Sequence, residues 1–123
     1  MYIALALLMI LHGMAHMVGF AAPFGYLKNP PPMSSTLLSA VGTGGMKALG
    51  ILWLANAALF VVAGVGLLRH SPWWSQATIV ACVLSLVLTA SFLPYAKIGL
   101  GVNLLPLAFV YFNSNAGWIT SRA

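Results

Sequence analysis

Not one aspartate or glutamate occurs among the 123 residues. That absence removes paired-carboxylate hydrolysis, carboxylate-held calcium or magnesium, and proton coupling through an acidic side chain at membrane depth. Cysteine is nearly missing as well. Cys82 stands alone, so no intrachain disulfide and no C-x-x-C redox pair can form; within its apolar run it reads as a small hydrophobe. Charge is scarce, at 4% of residues against roughly 25% in a soluble domain. The net charge of +5 is carried singly by Lys28, Lys47, Arg69, Lys97 and Arg122. No run of it makes a nucleic-acid footprint or a polybasic lipid site, so nucleic acid is not a partner, and these cations mark helix ends.

What is present is hydrocarbon. Hydrophobic residues make up 62% of the chain and its mean hydropathy is +1.02. Five Lys/Arg and three His cannot cover a water-facing exterior, which makes this an integral membrane protein in a lipid bilayer. The length suits one transmembrane domain over residues 1–123. Four segments can each cross about 30 Å of hydrocarbon at 1.5 Å per residue. They are residues 2–24, closed by Pro23 and Gly25; 46–68, ending at Arg69–His70; 73–93; and 97–112, the shortest. The first lacks the positive n-region of a secretory signal and is expected to be a true span. Only a few residues separate the second from the third and the third from the fourth, so sequential helices must lie side by side. The expected fold class is all-α, an integral membrane four-helix antiparallel bundle.

The link over residues 25–45 is longer. Its "NPPPMSS" is extended because consecutive prolines cannot propagate a helix. Ser34 or Ser35 is a candidate cap for a short interfacial helix, ended by Gly42–Gly45. Tyr2, Phe24, Tyr26, Trp73, Trp74, Tyr95, Tyr111 and Trp118 fall where the spans meet water, as an aromatic belt does. Trp53 lies deeper, filling a groove between helices or touching lipid. Three cations on one side against two on the other leave the orientation open under the positive-inside rule.

The informative side chains are the few polar ones inside the spans, because hydrocarbon offers them no hydrogen bonds. Thr78, Cys82, Ser85 and Thr89 recur at helical steps and form one stripe. It is read as a packing face whose hydroxyls bond back to their own helix, with a substrate path as the alternative. Ala15 and Gly19 form a small-x-x-x-small pair, and Gly64, Gly66, Gly99 and Gly101 thin other helices. Pro106 frees the carbonyl of Val102; Asn103 either satisfies groups near that break or reaches another helix.

His12 and His16, in "LHGMAHMVGF", share one helical face. Their spacing is that of H-E-x-x-H, but Gly13 stands where the general base belongs, which excludes a metalloprotease. Three readings stay open. The imidazoles bond to Asn103, Asn56, the third-helix hydroxyls or a buried water and tie the bundle together. Alternatively one or both, with Asn103, touch a quinone head group or an axial position of haem or chlorophyll. Direct binding of a metal ion is the weakest, with no anionic ligand and no carboxylate behind the imidazoles. His70, after Arg69, is an interfacial residue.

"LHGMAH" on the first helix, the long loop, "GMKALGILWLANAALFVVAGVGLL" and the opening "KIGLGVNLL" of the fourth segment resemble small four-helix bacterial membrane proteins of the DoxX-like group. His12–Gly13 and "GVNLL" around Asn103 are the positions that align residue by residue. The resemblance implies a four-helix bundle in a bacterial inner (cytoplasmic) membrane. It also implies a link to membrane redox systems and electron transport, including the small subunits of thiosulfate:quinone oxidoreductase. The single cysteine leaves no pair for thiol chemistry.

With no nucleophile–base pair and no cofactor motif, the residues point away from an enzyme. The leading expectation is a small non-catalytic subunit packing within or beside a larger respiratory or photosynthetic membrane complex, with other integral membrane subunits as partners. The alternative is a quinone- or tetrapyrrole-binding redox component built on His12, His16 and Asn103. A small transporter is third, and only histidine could couple protons in it.

Overall fold

The computed structural model describes residues 1–30, 40–93 and 96–119. Four helices follow one another: α1 (Tyr2–Ala21), α2 (Gly42–Leu68), α3 (Trp74–Ser91) and α4 (Lys97–Ala116). Among the described residues there is no strand. α1, α2 and α3 are long and apolar enough to cross a membrane, which makes this a multi-pass helical membrane protein. α4 has 20 residues, about 30 Å at 1.5 Å each, but Lys97 at its start and Asn113, Ser114 and Asn115 at its end dilute its apolar character.

The side-chain pairings give the topology. Ala6 lies opposite Gly64, Gly13 opposite Ala57 and Phe60, and Gly19 opposite Gly50 and Trp53, so α1 and α2 run antiparallel. Gly66 meets Trp73 at one end of the α2–α3 pair, and Trp53 meets Phe92 at the other, 5.5 Å between rings. Between α3 and α4, Thr89 faces Gly99, Ser85 faces Asn103, and Trp74 faces Phe109. Each helix therefore packs on its sequence neighbours, most intimately α1 on α2, and the α4–α1 seam is the lightest.

Glycine sets the α1–α2 distance. A Cβ on Gly13 would stand 2.8 Å from the Ala57 carbonyl oxygen and 2.9 Å from the Phe60 Cβ; one on Gly64 would stand 2.9 Å from the Ala6 carbonyl oxygen. Without a hydrophobic force between helices in lipid, close backbone approach supplies the dispersion contacts. Gly19 belongs to this face, against Trp53, but its expected companion Ala15 is exposed, so the pair does not form a seam.

Several boundaries differ from the sequence reading. Gly42–Gly45 opens α2 instead of ending a preceding helix: unpaired backbone groups cost so much in hydrocarbon that four weak helix formers are carried in the first turn. The proposed cap at Ser34 or Ser35 lies outside the described residues, as do Tyr95 and Arg122. α4 runs four residues past 112, because its backbone ladder ignores hydropathy. Ser114 Oγ and Asn115 Nδ2 both donate to the Tyr111 carbonyl, and Gly117, left-handed at φ 62°, closes the helix. Beyond it the Ile119 N–H donates to Asn113 Oδ1 at 2.7 Å, folding Ile119 back into the core.

α2 ends in a Schellman turn. Ser71 N–H donates to the Gly66 carbonyl and His70 N–H to that of Leu67, with His70 at φ 54°. The His70 ring meets the Tyr2 ring edge-on at 4.9 Å. Among the described members of the aromatic belt, Trp74 departs from the expectation and is buried against Phe109, while Trp73 and Trp118 stay exposed.

Exposed Leu7, Leu11, Met14, Ile51, Val62, Val80, Val83, Val87, Leu104 and Leu105 form the apolar exterior that lipid requires. The apolar interior falls into two clusters. One holds Ala6, Met9, Phe60, Ala63, Leu67, Trp74, Ala81, Cys82 and Ile119; the other holds Trp53, Leu88 and Phe92. What separates them is polar.

Candidate functional site: a polar layer across the bundle

Between the two apolar clusters, all four helices contribute polar side chains. α1 brings His12 and His16, α2 Asn56, α3 Ser85, and α4 Asn103. His16, Asn56, Ser85 and Asn103 are buried; His12 is partly so. The antiparallel register puts them at one depth, since Gly13 of α1 faces Ala57 of α2 and Ser85 faces Asn103.

The hydrogen bonds have one consistent direction. The His12 carbonyl can only accept, so the 2.9 Å contact from His16 Nδ1 makes that nitrogen the protonated one. His16 Nε2 is then the acceptor, and the Ser85 hydroxyl donates to it at 2.8 Å. Ser85 Oγ in turn accepts from Asn103 Nδ2 at 2.8 Å. The second proton of that amide goes to the Gly99 carbonyl at 2.7 Å, which fixes the amide orientation. Asn103 Oδ1 therefore faces His12 Nε2, which donates across 3.2 Å. The circuit is closed, running His12 to Asn103 to Ser85 to His16 and back to the His12 backbone. It ties α1, α3 and α4 together with two neutral imidazoles in opposite tautomers. Protonating His16 would point two N–H groups outward and leave the Ser85 proton without its acceptor.

Aromatic rings pack around this circuit. The His12 and His16 rings meet edge-on at 4.6 Å, Phe60 lies 4.9 Å from His12 and 5.3 Å from His16, and Trp53 lies 4.8 Å from His16. Trp53 thus fills a groove between helices and does not face lipid.

The structure brings all three candidate residues together, with Ser85 as the hub. Ser85 was one member of a four-residue stripe in the sequence. The stripe is buried as expected, and Thr78 and Thr89 bond back to the carbonyls of Trp74 and Ser85. Ser85 alone reaches across the bundle, and nothing in the spacing singles it out. Asn103 does not repair the break at Pro106; its amide goes to Gly99, a turn earlier, and across to α1 and α3. Gly13, noted as a missing glutamate and as the partner of His12 in the resemblance, is where α1 touches α2 beside the imidazoles.

Chemically, the layer is neutral and mostly self-satisfied. Three of the four imidazole nitrogens are engaged, leaving His12 Nδ1 as the open lone pair. An axial bond to a tetrapyrrole metal has that one nitrogen to use. Among the described residues no group of three or more His, Cys, Asp or Glu gathers to hold a metal ion. Cys82 is a buried free thiol. Two polar residues of α2 stand outside the circuit: Asn56 and the Trp53 indole nitrogen are buried without a hydrogen-bond partner among the described residues. No family model, no curated protein and no solved structure matches the chain.

Proposed function

We propose that the chain is a non-catalytic membrane subunit, a bundle of four crossings with α4 as the fourth, that works by packing against other integral membrane proteins of a respiratory or photosynthetic complex. One observation carries the reading. The two imidazoles of α1 are held in a closed hydrogen-bond circuit, and the hydroxyl that rests against a base, Ser85 on His16 Nε2, is buried at 0% exposure and itself held by Asn103, shut away from any substrate. Such a layer specifies which helix faces meet, in the way a buried polar residue fixes register in a coiled coil. The outer faces support the same reading. At the α1–α2 seam a wholly apolar groove of about 540 Å³ is floored by Gly13, Ala57 and Ala58 and walled by Met14, Met17 and Val62.

Extraction in mild detergent, followed by mass measurement and cross-linking mass spectrometry on native membranes, tests this. The expected result is a particle well above the 13.0 kDa chain and its detergent, with cross-links to other multi-pass proteins. A lone chain whose turnover of any substrate is abolished by His12→Ala would refute it.

A second reading draws on the open Nδ1 of His12. A DoxX-like redox component would use His12, with His16 and Asn103 behind it, to accept a hydrogen bond from a quinol or to ligate a tetrapyrrole. The supports are the resemblance of His12–Gly13 and "GVNLL" and that one free nitrogen. Co-purification of a quinone or a pigment, lost in His12→Ala, would establish it; its absence from native protein would dismiss it.

A further inference from the structure

We propose that the Trp53–Asn56 face of α2 binds a neutral hydroxyl oxygen inside the polar layer, either a water or the hydroxyl of a small membrane-soluble molecule. The inference does not depend on the subunit reading.

Asn56 is 0% exposed and Trp53 7%. Three of their polar atoms, Asn56 Nδ2, Asn56 Oδ1 and Trp53 Nε1, have no hydrogen-bond partner among the described residues. Residues three apart on a helix are neighbours on one face, and the Trp53 ring packs on His16. The orphan atoms therefore border the circuit at its own depth. Buried amides and indoles are rarely left unpaired, because the loss of hydration is not returned.

The donor inventory then selects the ligand. Within the circuit every side-chain proton already has an acceptor: His12 Nε2–H, His16 Nδ1–H, the Ser85 hydroxyl and both Asn103 amide protons. Asn56 Oδ1 needs a donor that the circuit does not hold, while Asn56 Nδ2 and Trp53 Nε1 need acceptors. A bare carbonyl or ether oxygen accepts from the two N–H groups but gives nothing to Asn56 Oδ1. A cation cannot accept, and an anion cannot donate. A hydroxyl does both, with one or two protons and two lone pairs on one atom. Water and an alcohol or phenol share this chemistry.

The test uses the full chain, labelled with ¹⁵N and reconstituted in lipid, with water protons as the probe and D₂O as the control. Magic-angle-spinning spectra read magnetisation transfer to Trp53 Nε1 and Asn56 Nδ2. Transfer from water that persists in a synthetic phosphatidylcholine bilayer supports the proposal with water as occupant. Transfer from a non-water hydroxyl that is lost on moving into that bilayer supports it with a small molecule as occupant. Shifts typical of free N–H groups, with no transfer from either source, would overturn it. Asn56→Leu is expected to abolish the transfer at Trp53 and lower the thermal midpoint. A raised midpoint with Trp53 unchanged would overturn the proposal, since it would mean that the amide is simply an unpaired burden. Should Asn56→Leu fail to fold, Trp53→Phe keeps the ring, removes the N–H, and leaves Asn56 as the reporter.

Discussion

Ser85→Ala is the substitution that separates a structural circuit from incidental contacts. The hydroxyl donates to His16 Nε2 and accepts from Asn103 Nδ2, both at 2.8 Å and both between fully or nearly fully buried residues. Its removal leaves an imidazole lone pair and an amide proton unpaired. In a water-soluble core each would cost about 1–3 kcal/mol. In membranes the reference state also finds partners, and side-chain hydrogen bonds average about 0.6 kcal/mol with a ceiling near 1.7. Two bonds lost at once therefore destabilise the bundle by about 1–3 kcal/mol. Thr78→Val is the control. Its hydroxyl bonds only to the Trp74 carbonyl of its own helix, so the loss is expected below about 1 kcal/mol. Reversible unfolding in mixed micelles measures both. A double-mutant cycle of Ser85→Ala with His16→Phe should show a coupling of about 0.5–3 kcal/mol. Ser85→Ala no worse than Thr78→Val, with no coupling to His16, would refute the circuit as an organising element.

Gly13→Ala is expected to destabilise by about 1–3 kcal/mol, because its Cβ meets the Ala57 backbone and α1 must move off α2. Gly101→Ala, where a Cβ meets nothing within 4 Å, should gain about 0.5–1 kcal/mol of helix stability in the same unfolding assay. His16→Ala should lower the thermal midpoint more than His12→Ala, since His16 uses both ring nitrogens and His12 one; the reverse order would contradict the assignment. His70→Gly should raise stability by about 0.5–1 kcal/mol by relieving a left-handed backbone at φ 54°, less whatever the Tyr2 edge contact contributes.

The fold was largely legible in the sequence because hydrocarbon leaves the backbone few options: long apolar runs must be helices, and short turns force neighbours together. The boundaries that failed did so where hydropathy and helicity part. Asn113–Asn115 continue a helix that hydropathy alone would end, and Gly42–Gly45 begin one that glycine should break. The candidate site was legible as a set, since His12, His16 and Asn103 are conspicuous at membrane depth. Its wiring was not. Which member of the stripe joins the ring depends on the axial register of α3 against α1 and α4, and a stripe whose four members share one face does not fix that. Nor does sequence separate Asn103, with three hydrogen bonds across three helices, from Asn56, without a partner among the described residues. Gly13 was visible as a missing glutamate and as half of the His12–Gly13 pair, but not as the place where a missing side chain lets α1 and α2 touch beside the imidazoles.

The two ring tautomers test the account most directly. Nitrogen-15 spectra of histidine-labelled protein in bilayers at neutral pH should show His16 protonated on Nδ1 alone and His12 protonated on Nε2 alone. Two rings in the same tautomer, or either ring as the imidazolium, would contradict the one-way circuit and the layer built on it.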